Sequence, residues 1–165
     1  MIQIRDVLSG DAAEIASIYN TYIVDSIITF ETEKVTATDI LQRIQKVTQL
    51  YDWLVLIENG MLVGYAYYTS FRERKAYEHT VESTIYLKSG SSGKGLGNDL
   101  YTALLERIKN KGFREVMGVI ALPNPESTRF HEKLGFKNMG VLKNVGFKFD
   151  TYLDVAFYQK TLRID

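Results

Sequence analysis

The chain has 165 residues, 45% of them hydrophobic, and its 20 basic residues balance 20 acidic ones. This length predicts one domain, residues 1–165, with one good core, because the chain is too short for two ordinary domains. The even charge argues against nucleic acid as a partner. No apolar run of spanning length and no signal pattern points to a membrane or to export, so we expect a cytoplasmic protein. The absence of cysteine excludes a disulfide framework, a thiol nucleophile and a thiolate metal site.

Hydrophobic periodicity predicts strands and helices along the whole chain. The dipeptide Asn59-Gly60 between two β-patterned runs is a strong signal for a type I′ hairpin. Asn124 followed by Pro125 is a typical helix start, and Gly135 ends that helix. We expect a mixed α/β fold, with a central twisted sheet and helices on both faces. In chain order the predicted elements are a strand at 2–5, helices from about 11 and at 38–48, strands at 53–58, 61–70 and 80–87, a helix from about 95, a strand at 115–120, a short helix from 125, and strands at 137–141 and 152–158.

A glycine-rich turn joins the strand at 80–87 to the next helix and contains Gly93, Gly95 and Gly97. Apolar residues recur at helical spacing from Leu100 onwards, so the helix begins near Gly95. The first turn of a helix has unpaired N–H groups and a partial positive charge, and glycines would let a pyrophosphate approach them. The turn predicts an anion cradle for a phosphorylated cofactor. A tight connection without a ligand is the alternative.

Two common phosphate-binding motifs do not fit this turn. A nucleotide P-loop needs Ser or Thr directly after its Gly-Lys, whereas Gly95 follows Lys94 here. A dinucleotide fingerprint needs G-x-G-x-x-G early in a βαβ unit, with an acidic residue about 20 positions on, and this turn lies in the middle of the chain. The turn therefore indicates neither of these two classes.

The segment Ser92-Gly93-Lys94-Gly95-Leu96-Gly97 resembles the coenzyme A pyrophosphate loop of the GNAT superfamily of N-acetyltransferases, Q/R-x-x-G-x-G/A, with Ser92 in place of Gln or Arg. Further segments in GNAT order extend the resemblance over almost the whole chain. Val81-Glu82-Ser83-Thr84, and Val145-Gly146-Phe147-Lys148 with Asp154, are similar to the phosphinothricin acetyltransferase branch. The resemblance implies the GNAT fold, acetyl-CoA as cofactor and a homodimer. It assigns cofactor binding to Ile85, Tyr86, Leu87, Ser92, Gly93, Lys94, Gly95, Leu96, Gly97, Asn98, Asn124 and Ser127.

Acetyl transfer to an amine needs a base, because an α-ammonium with a pKa of roughly 7.7 to 8.0 is largely charged at neutral pH. Glu82, on the strand just before the cradle, is the base that the resemblance implies. Spacing alone allows a strand carboxylate paired with a neighbouring arginine instead. His131 is the second candidate, as an acid near the departing thiolate. The alternative for His131 is a partly buried histidine that hydrogen-bonds the loop.

Direct transfer passes through an oxyanion, which needs a preorganised N–H donor. In GNAT folds this donor is a backbone amide at a bulge late in the strand, and the resemblance places it within residues 85–87. The same segment would hydrogen-bond the pantetheine arm, and a splay between this strand and the next would admit coenzyme A. An ordinary central strand without a bulge would have the same sequence.

Acceptor recognition is predicted from few residues. Segment 71–77 places three cations beside aromatic residues, which suits a carboxylate or phosphinate on a small amino-acid analogue, and solvated loop charges are the alternative. The resemblance implies Arg74 as the cation, with Phe30 and Tyr77 as aromatic walls. Leu153 stands where close phosphinothricin enzymes have a histidine, and it resembles relatives that acetylate methionine sulfoximine and methionine sulfone.

These observations predict an acetyl-CoA-dependent N-acetyltransferase that acts on the primary amine of a small amino acid or toxic amino-acid analogue. A GNAT enzyme that acetylates a protein, peptide or polyamine amine is the alternative, and a non-catalytic acyl-CoA-binding sensor is a third hypothesis. We expect no catalytic metal, because His79 and His131 are far apart in sequence and the carboxylates lack ligand spacing.

Overall fold

The computed structural model describes residues 1–162, in which seven strands form one sheet and four α-helices cover it. The strands are β1 (Ile2–Asp6), β2 (Trp53–Glu58), β3 (Met61–Ser70), β4 (Thr80–Leu87), β5 (Glu115–Leu122), β6 (Lys137–Lys148) and β7 (Thr151–Thr161). The helices are α1 (Ala12–Asp25), α2 (Ala37–Val47), α3 (Leu96–Asn110) and α4 (Pro125–Lys133).

The sheet has the strand order β1-β2-β3-β4-β5-β7-β6. Neighbouring strands are antiparallel except for β4 and β5, which run parallel. A parallel pair needs a crossover connection, and α3 supplies it between β4 and β5. The predicted mixed α/β fold is confirmed.

Two apolar layers pack on the two faces of the sheet. On one face, α1 and α2 contribute Ile15 and Ile40, which pack with Trp53 of β2. On the other face, Leu104 of α3 packs with Val81 of β4. The strand β4 therefore has one side in each layer, since successive side chains of a strand point to opposite faces.

Local turn and cap signals in the sequence are confirmed. Asn59 and Gly60 have φ values of +51° and +82°, as a type I′ hairpin requires. Asn124 caps α4, because its side chain accepts the backbone N–H of Ser127 at 3.2 Å. The late strands are longer than predicted. β6 continues to Lys148, because a bulge lets it resume pairing with β7.

No helix within residues 1–162 has the length and apolar content that crossing a membrane requires. In the same residues, no three histidine or acidic side chains are grouped so that they could hold a metal ion.

Candidate active site

The strands β4 and β5 run side by side only at their start and then separate. The last parallel pair is Glu82↔Met117, although the strands continue to Leu87 and Leu122. Beyond Glu82, the backbone of β4 therefore has no ladder partner on the β5 side within residues 1–162, and an extended ligand segment could hydrogen-bond there. The predicted splay is present, and we call this gap the wedge.

The bulge predicted within residues 85–87 is absent. β4 pairs with β3 without a register shift up to Gly64↔Leu87. The irregularity lies on the other side of β3, where the pairing with β2 shifts between Leu56 and Ile57. The prediction was wrong because a bulge leaves no clear side-chain pattern in the sequence. An oxyanion donor in β4 would be an N–H on the wedge side of a straight strand.

The turn between β4 and α3 is a concave loop with an open backbone. Gly93 and Gly95 have φ values of +85° and +80°, and a Cβ at either position would meet no atom of residues 1–162 within 4 Å. Within residues 1–162, no backbone hydrogen bond uses the N–H groups of residues 92–95. The N–H groups of residues 96–98 have no intrahelical partner, because they belong to the first turn of α3. These donors and the helix dipole fit a pyrophosphate.

The side chains of this loop point in several directions. Leu96 is buried in the α3 layer, so only its backbone belongs to the cradle. A Cβ at Gly97 would lie 3.2 Å from Leu87 Cδ1. Gly97 therefore permits close packing of α3 on β4, and its role in phosphate binding stays a prediction. Lys94 Nζ lies 3.3 Å from Glu58 Oε1, so this cation has a carboxylate partner.

Polar residues stand at both ends of the wedge. Asn124 follows β5, and its Oδ1 accepts the N–H of Ser127, while its amide NH₂ has no partner within residues 1–162. At the cradle, Ser92 is exposed and Asn98 is half-buried. The free amide of Asn124 is thus available to a ligand that enters between β4 and β5.

Glu82 lies at the last paired position of β4, beside the wedge. Val81 belongs to the α3 layer and Ser83 contacts Tyr101 of α3, so alternation puts Glu82 on the face that α1 and α2 cover. Burial raises the pKa of the Glu82 carboxyl, and its side chain forms no salt bridge or hydrogen bond within residues 1–162. Within these residues, the arginine-paired alternative does not hold.

Aromatic and charged side chains lie on the same face of the sheet as Glu82. Tyr67 of β3 pairs with Thr84 of β4. Burial raises the pKa of the Tyr67 hydroxyl, on which the charges of Arg43, Glu31 and Glu82 also act. Arg43 donates to both carboxylate oxygens of Glu31, at 2.6 and 2.8 Å. The half-buried carboxylate therefore shares its face of the sheet with polar side chains of α2, β3 and the segment after α1.

His131 lies on the opposite face of the sheet, in α4, and is only 5% exposed. Its Nδ1–H donates to the Ser127 carbonyl oxygen at 2.8 Å, which makes Nε2 an acceptor, 3.4 Å from the Tyr101 hydroxyl. The Tyr101 hydroxyl lies 2.5 Å from Ser83 Oγ, and Ser83 donates to the Met117 carbonyl oxygen at 3.3 Å. Burial lowers the pKa of His131, so the ring is neutral at neutral pH.

The two candidate catalytic residues thus approach the wedge from opposite faces. Both ring nitrogens of His131 have partners inside the protein, which matches the interpretation as a buried histidine, and a role as an acid stays a prediction. The chain of Ser83, Tyr101 and His131 joins β4, α3 and α4 where β4 leaves β5. This hydrogen-bonded network was not predicted from the sequence. The available signal was a tyrosine on the apolar face of a helix, whose hydroxyl needs a buried partner.

The three predicted acceptor residues lie in two places. Phe30 is 40% exposed and lies against Gly146 of β6. Arg74 and Tyr77 are exposed between β3 and β4, where they line a concave region of about 320 Å³. Neither Glu82 nor Phe30 lines that region. The role of these residues in acceptor recognition stays a prediction.

Comparison with known proteins points to one family. The Acetyltransferase (GNAT) domain profile matches residues 4–157. Phosphinothricin N-acetyltransferase of Streptomyces viridochromogenes is 37% identical over 99% of this chain and 89% of the relative. L-methionine sulfoximine/L-methionine sulfone acetyltransferase of Salmonella typhimurium is 31% identical over 96% of this chain and 94% of the relative. The crystal structure of a phosphinothricin acetyltransferase from Sinorhizobium meliloti with acetyl-CoA aligns with a TM-score of 0.94 and 34% identity, covering 98% of this chain and 88% of that one.

Proposed function

Because the chain belongs to the GNAT family of acetyltransferases, we propose that it acetylates the primary amine of a small amino acid or amino-acid analogue of the phosphinothricin or methionine sulfoximine type. The chain is an N-acetyltransferase that uses acetyl-CoA. One observation carries the proposal. Glu82 is a half-buried carboxylate, without an ionic partner in residues 1–162, at the mouth of the wedge. The relatives named for small amino-acid analogues support this acceptor class.

The donor fits the open backbone of the wedge and cradle. When bound, acetyl-CoA supplies a thioester whose carbonyl a neutral amine attacks. The N–H groups of residues 92–98 would hold its diphosphate, and the free edge of β4 beyond Glu82 would hold its pantetheine arm. Asn124 and Ser127 would contact it from the end of β5. Ser92, in place of the usual Gln or Arg, leaves the diphosphate to backbone donors.

Glu82 acts on the acceptor. The carboxylate takes a proton from the bound ammonium and frees the nitrogen lone pair, which is the task of a general base. Burial raises the pKa of Glu82 toward that of the amine, and this makes the carboxylate a better proton acceptor. Because no cation within residues 1–162 neutralises Glu82, its charge is free to attract the ammonium.

Leu153 favours methionine sulfoximine and methionine sulfone over phosphinothricin. Its side chain is buried on β7, opposite Gly146. Without a histidine at this position, the acceptor side has one polar group fewer for a phosphinate. A site built to hydrogen-bond a group discriminates strongly, whereas an apolar position does so weakly.

A thiol-release assay with acetyl-CoA and a panel of amines tests the proposal. The panel contains methionine sulfoximine, methionine sulfone, phosphinothricin, the common amino acids, a peptide with a free N-terminus, and spermidine. We expect kcat/KM for the two methionine derivatives to exceed that for the peptide and spermidine roughly tenfold or more. Turnover of the peptide or spermidine alone would support the alternative class. Binding of acetyl-CoA in calorimetry without any turnover would support a sensor.

We also propose a homodimer. The edge strand β6 and its neighbour β7 expose apolar side chains on adjacent positions, among them Val145, Phe147 and Tyr152. An exposed apolar edge of this kind is typical of an interaction surface. Sedimentation equilibrium should give twice the chain mass of 18.9 kDa, and a monomer at every concentration would contradict the proposal.

A further inference from the structure

A buried lysine near the end of β6 holds the segment that follows α1. Lys148 is 4% exposed, and its Nζ donates to the carbonyl oxygens of Ser26 at 2.7 Å and Thr29 at 2.8 Å. Burial lowers the pKa of Lys148, and no carboxylate within residues 1–162 compensates the charge. Burying a cation costs free energy, which these two charge-assisted hydrogen bonds offset. The ammonium thus ties β6 to a segment more than a hundred residues earlier in the chain.

Gly146 meets the same segment two positions earlier. A Cβ built on Gly146 would overlap the ring of Phe30. The backbone of Gly146 is not left-handed, so the requirement for glycine here is space for the ring and not backbone freedom. The Phe30 ring therefore lies directly on the backbone of β6.

A bulge in β6 turns both residues inward. The pairing with β7 breaks register between Leu142 and Gly146. Asn144 in the bulge has a φ of +57°, and its N–H donates to Asp154 Oδ1 at 2.8 Å. After the bulge, Gly146 and Lys148 are buried while the residue between them is exposed. Bulges commonly re-aim side chains in this way.

Other contacts tie the same segment to the helices beside Glu82. Thr29 Oγ1 lies 2.7 Å from the Tyr19 hydroxyl of α1, and Glu31 accepts from Tyr19 and Arg43. The charges of Glu31 and Glu82 both act on the same tyrosine of β3. The segment therefore borders the face of the sheet on which Glu82 lies.

We propose that Gly146 and Lys148, together with the bulge that Asp154 holds, are positioning residues that fix Phe30 as a wall of the acceptor site. The inference rests on the proposed function. One side of the Phe30 ring packs on β6, and its exposed part is free to contact the apolar portion of an acceptor. Because the cradle is built from β4 and α3, a change at Gly146 acts on the acceptor and not on acetyl-CoA. This gives a physical role to the motif Val145-Gly146-Phe147-Lys148 and Asp154.

Gly146→Ala is the first test, with Gly10→Ala as the matched control, because a Cβ at Gly10 would meet no atom of the described residues within 4 Å. We expect Gly146→Ala to raise KM for the acceptor roughly 10- to 100-fold, the range for a displaced binding group, and to leave KM for acetyl-CoA unchanged. The double variant with Phe30→Leu should be no worse than Phe30→Leu alone, since the smaller side chain relieves the overlap. Additive losses in this cycle would overturn the proposal.

Hydrogen–deuterium exchange adds a readout that does not need turnover. Lys148→Met keeps an apolar stem and removes the donors to Ser26 and Thr29. We expect faster amide exchange in residues 26–31 of Lys148→Met and Gly146→Ala than in wild type or Gly10→Ala. Unchanged exchange in both variants would show that Gly146 and Lys148 do not hold residues 26–31. Faster exchange with an unchanged acceptor KM would show that holding this segment has no role in acceptor recognition. If wild type acetylates no amine of the panel, the proposed function fails, while the exchange data still test whether Gly146 and Lys148 hold residues 26–31.

Discussion

Glu82→Gln keeps the size of the side chain and removes its basicity, so it isolates the role of the carboxylate in proton transfer. A positioned general base contributes about 10²- to 10⁴-fold to turnover. We therefore expect kcat to fall at least roughly 100-fold. Calorimetric binding of acetyl-CoA should not change, because the cradle uses backbone donors of residues 92–98. Glu106→Gln, at an exposed position of α3, is the matched control with wild-type kcat.

The pH dependence of turnover gives a second test of Glu82 as the base. Burial raises the pKa of Glu82 above the ordinary value of 4.5, and the base acts in its ionised form. Turnover at saturating acceptor should therefore fall as the pH drops through that raised pKa, and the acid limb should lie above pH 4.5. Glu82→Gln should lose this limb. A variant with wild-type kcat at every pH would refute the assignment of Glu82 as the base.

The free energy of unfolding of Glu82→Gln shows whether a loss of turnover comes from the chemistry or from a destabilised fold. A carboxyl whose pKa is higher in the folded than in the unfolded protein binds its proton more tightly when folded. Its contribution to stability is present below the unfolded pKa and is lost as the pH rises through the folded pKa. At neutral pH, Glu82→Gln should keep or raise the free energy of unfolding in urea. A loss of turnover accompanied by a lower free energy of unfolding would contradict the catalytic interpretation.

Three further substitutions test single features of the fold. Gly95→Ala puts a Cβ on a residue with φ +80°, so it should lower the free energy of unfolding by about 1 kcal/mol and weaken acetyl-CoA binding in calorimetry. Tyr101→Phe removes a buried hydroxyl that contacts Ser83, and it should cost about 1 to 3 kcal/mol in urea unfolding, whereas an unchanged value would contradict the proposed network. Arg5 hydrogen-bonds both oxygens of Asp11, at 2.8 and 2.9 Å, and lowers its pKa below 3.8. Wild type should therefore lose stability as the pH falls through that lowered pKa, and Asp11→Asn should lack this acid-dependent loss.

The elements predicted correctly from the sequence are those whose backbone conformation is set by residues adjacent in the chain. The hairpin at Asn59-Gly60 needs two residues that accept positive φ, and the start of α4 needs a capping side chain followed by a proline. Gly93 and Gly95 mark an open loop for the same local reason. These signals, with the periodicity of α3, were sufficient to predict the open loop, the helix that follows it and the strand that leads into it.

The rest of the site depends on partners that are distant in sequence. Lys148 donates a hydrogen bond to the carbonyl oxygen of Thr29, 119 positions away in sequence. The sequence around either residue does not indicate this contact. The length of β6 was underestimated because its bulge is held by Asp154 of the next strand. The hydroxyl of Tyr101 likewise needs Ser83, which comes from a different element. Periodicity assigns such residues to a face or a core but does not identify their partners.

The opposite placement of the two candidate catalytic residues follows from the pleat of a single strand. Glu82 and Ser83 are neighbours on β4, so one must face α1 and α2 while the other faces α3. Ser83 is joined through Tyr101 to His131, and this determines the side on which His131 lies. The donor cradle begins α3, on the side of Ser83, whereas Phe30 and its segment lie on the side of Glu82. Under the proposed function, one strand would present a base to the acceptor from one face while its free edge binds the donor, and the two would meet in the wedge.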